Sequence, residues 1–321
     1  MRLHHDRIRF SFCPMVPFRL DLTVWALRRR SMNAVDTWNG TTYCRVLAVR
    51  DRPMLVAVTQ RGKKLDVTVT GRHLSPAVKQ NASNTVERLL GIREDLSAFY
   101  EFSSRDTRLH ELAMRFLGLK PPRFASVFEA LVNGIACQQL SLTVGIILLN
   151  RLAARCGMAF GPGRYAFPRP EDLASLDPAD LRPLGYSGSK ARALIELAQS
   201  VAAGHLDLEG LVQFDNRQCV ERLTSLRGVG RWTAEYVLLR GLGRINVFPG
   251  DDVGARNNLE RWLHLRNKLN YERVRKVLNK WKGYSGLIFL HLLLKGLDEG
   301  GDLGPIPTSD DRFTCVPVLG G

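Results

Sequence analysis

A small α+β domain followed by a larger all-α domain is the fold class this sequence predicts. Two observations carry it. β-rich segments separated by short polar turns are confined to the part of the chain before Asp106. From there on, apolar residues recur at helical spacing between Gly and Pro breaks. A third observation concerns partners: 46 Lys and Arg against 31 Asp and Glu give a formal charge of +15. Such an excess calls for a polyanion, with nucleic acid first and an anionic membrane second.

Met1 to Pro14 is basic and reads without a structural pattern, so residues 1–15 are expected to be an extension, with Met15 as an alternative start. Residues 16–105 then make the α+β domain, an antiparallel sheet with helices. Phe18 to Val24 alternates apolar and polar residues and is expected to be a strand. Thr42 to Val49, Met54 to Gln60 and Leu65 to Thr70 follow as a meander, its turns marked by Asp51-Arg52-Pro53 and Arg61-Gly62-Lys63. Ser75 and Pro76 open a helix running to Leu90, the first as N-cap and the second as first helical residue.

Residues 106–299 read as helices. Phe124 to Cys156 is expected to be one long apolar helix, with new starts at Pro168-Arg169-Pro170 and Asp177-Pro178. Lys190 to Ala202, Arg217 to Leu226 and Arg231 to Arg240 come next. A helix after Asp251 and Tyr271 to Leu297, broken near Gly283, complete the series. Residues 300–321 are Gly/Pro-rich and expected to be disordered.

Composition removes several classes. Hydrophobic residues make up 45% of the chain, as in a globular protein. No apolar run reaches the roughly 20 residues a membrane span needs. The six cysteines are scattered without a CxxC, which fits free thiols rather than a disulfide framework or a zinc site, and the lack of a closely spaced run near the C-terminus argues against an iron–sulfur cluster.

Leu223 to Arg256 carries the chemistry. It reads as helix, tight Gly228-Val229-Gly230 turn, helix, loop and helix start. Gly228 and Gly230 let the backbone turn sharply and approach another surface. The first N–H groups after Arg231 lack intrahelical partners and suit a phosphate oxygen, with Arg227 and Arg231 adding charge. A plain helix–helix turn is the other reading. Phe248-Pro249-Gly250-Asp251-Asp252 then sets two acids at a helix start. One, expected to be Asp251, can cap the helix. A second carboxylate in a basic cleft suits the stabilisation of developing positive charge.

Several segments in order give a resemblance: PFRLDLTVWALRRR with TYCRVLAV, FEALVNGIACQQLS, LRPLGYSGSKARALIELAQ, the hairpin, and WKGYSG. Together they resemble the DNA-3-methyladenine glycosylase II family, within the helix–hairpin–helix base-excision DNA glycosylases, over about Pro17 to Leu297. The resemblance implies a monofunctional glycosylase that flips alkylated purines out of duplex DNA and hydrolyses the N-glycosidic bond. Asp252 would be the catalytic carboxylate. Trp232 and Tyr236, i and i+4 on one helix face, would line the base pocket, with Trp25 a further candidate; core packing is the bland alternative for the pair. Gln139 would be the wedge. The hairpin would grip a phosphate, with a Na or K ion held by the carbonyls of Thr224, Leu226 and Val229; no other cofactor is expected. Lyase members carry lysine at the position of Trp232, so no lyase step is expected.

Two departures stand out. Leu293 occupies a place where relatives carry a pocket tryptophan, and Gly283 one where they often carry proline. The basic run from Arg261 through Arg266, Lys268, Arg273, Arg275, Lys276, Lys280 and Lys282 is expected to extend the phosphate surface. A monomer acting on damaged duplex DNA, in the bacterial cytoplasm or a eukaryotic nucleus, is the overall expectation. A glycosylase for deaminated or oxidised bases and a non-catalytic damage-binding protein are the alternatives.

Overall fold

The computed structural model describes residues 6–49 and 51–303. Its elements in order are β1 (Asp6–Phe12), α1 (Leu20–Arg28), β2 (Thr37–Trp38), β3 (Thr42–Val49), β4 (Arg52–Arg61), β5 (Lys64–Gly71), α2 (Pro76–Leu90), α3 (Ser97–Ser103) and α4 (Thr107–Arg115). There follow α5 (Val127–Cys137), α6 (Leu142–Cys156), the short hairpin β6 (Ala159–Gly161) and β7 (Arg164–Tyr165), α7 (Pro170–Ala174) and α8 (Gly188–Ala202). Last come α9 (Asn216–Thr224), α10 (Arg231–Arg240), α11 (Val253–Leu263), α12 (Tyr271–Leu278) and α13 (Ser285–Glu299). A 3-10 segment at Asn279–Tyr284 makes the expected break before α13.

The five-stranded antiparallel sheet has the order β1-β5-β4-β3-β2. Its inner face follows the alternation of the sequence: Met54, Val56 and Val58 on β4 and Leu65, Val67 and Val69 on β5 are buried, with Val56 opposite Val69 and Val58 opposite Val67.

The N-terminal extension is corrected by the structure. Asp6–Phe12 is an edge strand, not a segment outside the fold. Ile8, Phe10 and Phe12 lie opposite Val69, Val67 and Leu65, and Arg7, Arg9 and Ser11, which alternate with them, are exposed. Period-two alternation was present there, masked by the basic composition.

Phe18 to Val24 is the second correction. The segment from Leu20 is helix α1, preceded by Arg19, which pairs with Asp21. Its burial explains the misleading alternation. Leu20, Val24 and Leu27 enter one hydrophobic core, and Leu22 and Ala26 enter another. The helix lies between two cores, so apolar residues occupy both of its sides.

Those cores also cross the expected boundary at residue 105. The first joins the sheet and α2 to α5, α6, α8 and α10, while the second joins α1, α3 and α4 to α11, α12 and α13. Leu303, within the expected disordered tail, is buried in the second core, and Asp302 lies 3.8 Å from Arg30. Residues 304–321 lie outside the described residues.

The long helix expected over Phe124 to Cys156 is two. α5 stops at Cys137, Gln139 takes a left-handed backbone (φ +54°), and Ser141 caps α6 by accepting from the Val144 amide. A residue at φ > 0 cannot continue a right-handed helix, so a tight exposed corner forms at Gln138–Ser141. No helix among the described residues is long and apolar enough to cross a membrane.

Candidate active site and nucleic-acid interface

The hairpin lies between α9 and α10. Val229 N–H donates to the Leu226 carbonyl at 3.1 Å, closing the turn. Gly228 has φ +75°, and a Cβ there would stand 2.8 Å from that of Ala193, so the turn packs its bare backbone on α8. Gly230 differs. It is the N-cap of α10 without a capping side chain, and a Cβ on it would meet nothing within 4 Å. Its open face leaves the first-turn amides of α10 approachable.

The corner after α5 is tied to this hairpin. Gln138 Nε2 donates to the Gly228 carbonyl at 2.7 Å and to Thr233 Oγ1 at 2.8 Å. Lys190 Nζ, from α8, donates to the carbonyls of Ala136 and Gln138 at 2.9 and 2.7 Å. Gln139 projects from the corner this clamp makes, and Leu140 and Val144 beside it are 42% and 40% exposed. Sequence reasoning passed over Leu140. An apolar residue directly after two glutamines, in Gln138-Gln139-Leu140-Ser141, was the available signal.

On α10, Trp232 and Tyr236 stack with ring centroids 5.6 Å apart and planes 24° apart. Tyr236 is buried, and its hydroxyl accepts from Arg29 Nη1 at 2.8 Å; Arg29 Nη2 donates to Asn133 Oδ1 at 2.6 Å. Burial works against the Arg29 charge, but Tyr236, Cys137 and Asp36 more than offset it, holding its pKa above the ordinary arginine value. Burial likewise pushes Tyr236 up, with Arg29 opposing. The stack is thus anchored by an α1 terminus that no local pattern singled out.

The two acids divide their work differently from expectation. Asp252, not Asp251, is the N-cap of α11: Oδ1 accepts from the Ala255 amide at 2.8 Å. Its other oxygen, Oδ2, accepts from Trp232 Nε1 at 3.1 Å. Asp251 is drawn instead to Arg231, 2.8 Å away. The Arg231 guanidinium also lies 3.5 Å from the centroid of the Tyr271 ring. That expected phosphate ligand is therefore engaged within the protein. Arg227 pairs with Glu196 at 2.7 Å, both largely exposed, a pairing that a phosphate could replace at small cost.

One turn further along α10 from Arg231, Glu235 is buried and holds the same loop. Its carboxylate accepts from the Gly250 amide at 3.1 Å and from the Tyr271 hydroxyl at 2.5 Å. Burial raises its pKa, and the bonds from Tyr271 and Gly250 act against that rise.

Trp25 and Leu293 are both half-buried on the second core, and Arg28 lies 5.0 Å from the Trp25 ring centroid. The stack is built on Tyr236 of the first core. Within the basic run, Lys268 pairs with Glu260, Lys280 with Asp106, and Arg275 lies 3.8 Å from Glu272. Part of that charge therefore has acidic partners within the protein. The described residues contain no cluster of three or more His, Cys, Asp or Glu that could hold a metal.

Helices α9 and α10 with their hairpin, the loop with its capping aspartate and the stacked aromatics form one contiguous unit. Residues 132–283, just under half of the chain, match the model of the HhH-GPD superfamily of base excision DNA repair proteins. The chain is 30% identical over 201 residues to a DNA-3-methyladenine glycosylase of Bacillus subtilis, covering 62% of this chain and 66% of that protein. It is 34% identical over 170 residues to a putative DNA-3-methyladenine glycosylase of the same organism, covering 52% and 58%. In both cases the match spans less than two thirds of the relative. A solved 3-methyladenine DNA-glycosylase from Archaeoglobus fulgidus superposes with a TM-score of 0.78 at 26% identity, over 91% of this chain and 98% of that one.

Proposed function

We propose that this protein is a monofunctional DNA glycosylase that releases alkylated purines from duplex DNA and leaves an abasic site. The observation that carries the reading is the Asp252 carboxylate. Helix α11 and the Trp232 indole fix it between them, at the edge of an aromatic stack. The names of the three proteins compared above, two 3-methyladenine glycosylases and one putative one, point the same way.

In this reading the open amides at the start of α10 grip a phosphate. Gln139 fills the gap left by the flipped nucleotide, and Leu140 adds an apolar surface for the neighbouring bases. The extruded purine stacks on Trp232, whose electron-rich ring suits a base made cationic by alkylation. Alkylation also makes the base a good leaving group. As the bond breaks, the sugar becomes oxocarbenium-like, and Asp252 stabilises that charge or orients water. The position at which lyases carry lysine holds Trp232, so that position offers no amine to form a Schiff base.

An alkali-metal ion suits the donor set at the hairpin. The C-terminal carbonyls of α9 end at Thr224, at the negative end of the helix, and that of Leu226 retains a lone pair beside its bond to Val229 N–H. These two and the Val229 carbonyl would hold the ion, which would add positive charge toward a DNA phosphate.

The test is release of free base from duplexes containing 3-methyladenine, 7-methylguanine, hypoxanthine or 8-oxoguanine. Methylated purines should be released, with the strand intact until alkali cleaves the abasic site. Asp252→Asn should bind DNA normally and release base about a hundredfold or more slowly. Normal release by this variant, or strand cleavage without alkali, would overturn the respective part of the reading.

A further inference from the structure

We infer that Glu235 and Tyr271 are positioning residues that fix the loop carrying Asp252; this rests on the function proposed above. Helix α10 grips three successive loop residues: Glu235 accepts from the Gly250 amide, Arg231 pairs with Asp251, and Trp232 donates to Asp252. Tyr271, from α12, locks two of those gripping side chains at once. Its hydroxyl donates to Glu235 at 2.5 Å, and its ring lies under the Arg231 guanidinium at 3.5 Å. It also touches the loop itself. A Cβ on Gly250 would stand 2.8 Å from the Tyr271 ring, so the bare loop backbone is seated on that face.

Each bond in this arrangement is matched. The two oxygens of Glu235 take one donor each, Oε1 from Tyr271 and Oε2 from Gly250. A buried carboxylate is costly unless paired in this way. Helix packing alone does not call for an acid here, since an apolar residue would fill the space without that cost. What the acid adds is direction: it holds the Gly250 amide two residues before Asp252, so the capping carboxylate meets the Trp232 indole in one register. Catalytic groups need such precision, since a displacement of about 1 Å can cost about a hundredfold in rate.

The experiment compares Glu235→Ala, Glu235→Gln, Tyr271→Phe and the Glu235→Ala/Tyr271→Phe pair. Hydrogen exchange of the loop amides 250–252 is followed in the free protein. Single-turnover base release from duplex containing 7-methylguanine, and the Kd for duplex carrying an abasic-site analogue, are measured beside it. Glu235→Ala and Tyr271→Phe should each speed loop exchange and slow base release, by about tenfold or more for Glu235→Ala, with Kd within about twofold. Glu235→Gln should recover most of the loss, because its carbonyl can accept from Gly250 while its amide donates to a reversed Tyr271 hydroxyl. The double variant should be no slower than Glu235→Ala, as expected of groups acting as one unit. Native exchange and native rate in Glu235→Ala and Tyr271→Phe would overturn the inference, as would additive losses or a rise in Kd matching the fall in rate. If the unsubstituted protein releases no base, the functional reading falls, and loop exchange still decides whether Glu235 and Tyr271 hold the loop.

Discussion

Asp252 makes two bonds that pull in different directions. One belongs to architecture, since any Ser, Thr, Asn or Asp could accept from the Ala255 amide and cap α11. The other, from Trp232 Nε1, uses the oxygen a cap does not need. This second bond separates a helix cap from a candidate catalytic carboxylate. Trp232→Phe keeps a ring to stack on Tyr236 but removes the donor. A hydrogen bond to a charged acceptor is worth about 1.5–3 kcal/mol, so base release should slow by about tenfold or more while affinity for lesion-bearing DNA is nearly kept. Single-turnover rates at saturating enzyme measure this; an unchanged rate would show that the indole does not orient the carboxylate.

The hairpin shows how an element can use two identical residues for two purposes. Gly228 is required by the fold: its φ of +75° and the 2.8 Å approach to Ala193 leave no room for a side chain. Gly230 has φ −95° and open space before it, so folding does not demand glycine there. Gly228→Ala should therefore cost about 1–2 kcal/mol of stability through backbone strain and crowding, read as a lowered Tm. Gly230→Ala should leave Tm nearly unchanged and yet weaken DNA binding, because the added methyl stands before the open amides. Equal affinity for the native protein and Gly230→Ala, in a titration against duplex DNA, would argue against a phosphate at this turn. The corner at Gln138–Ser141 belongs to the same scale, since Gln138 ties the wedge candidate to the hairpin and Lys190 ties it to α8.

Across the whole molecule the two cores divide the load. The first carries the sheet and the hairpin helices, and the second carries α11 to α13 around the Asp252 helix; α1 joins them. His291 lies deep in the second core beside Phe99 and Phe116, and burial lowers its pKa to about 4. The ordinary value is about 6.5. Between these values the unfolded chain binds a proton that the folded protein refuses. The stability contributed by a neutral His291 is thus present above about pH 6.5 and is lost as pH falls toward 4, on the order of 3 kcal/mol in all. Replacing His291 with Leu should flatten the fall in Tm over that range. An equally steep fall in both proteins would locate the acid sensitivity elsewhere.

Much of this protein was determined by local sequence. The meander strands, the Ser75-Pro76 helix start, the Gly-Val-Gly turn and the Trp232–Tyr236 pair are short-range patterns, set by turn residues, capping and helical spacing. Packing decided the rest. Seven alternating residues from Phe18 suit a strand, but a helix between two cores needs apolar residues on both sides and can produce the same pattern. Basic residues hid the alternation of β1, whose apolar face has meaning only against β5. Asp251 and Asp252 are chemically identical and adjacent in the chain. Only the distant Arg231 and Trp232 make one a partner of the arginine and the other a cap with an oxygen bound to the indole. Glu235, Tyr271 and Arg29 were silent for the same reason, since each acts through a neighbour that only the fold brings within reach.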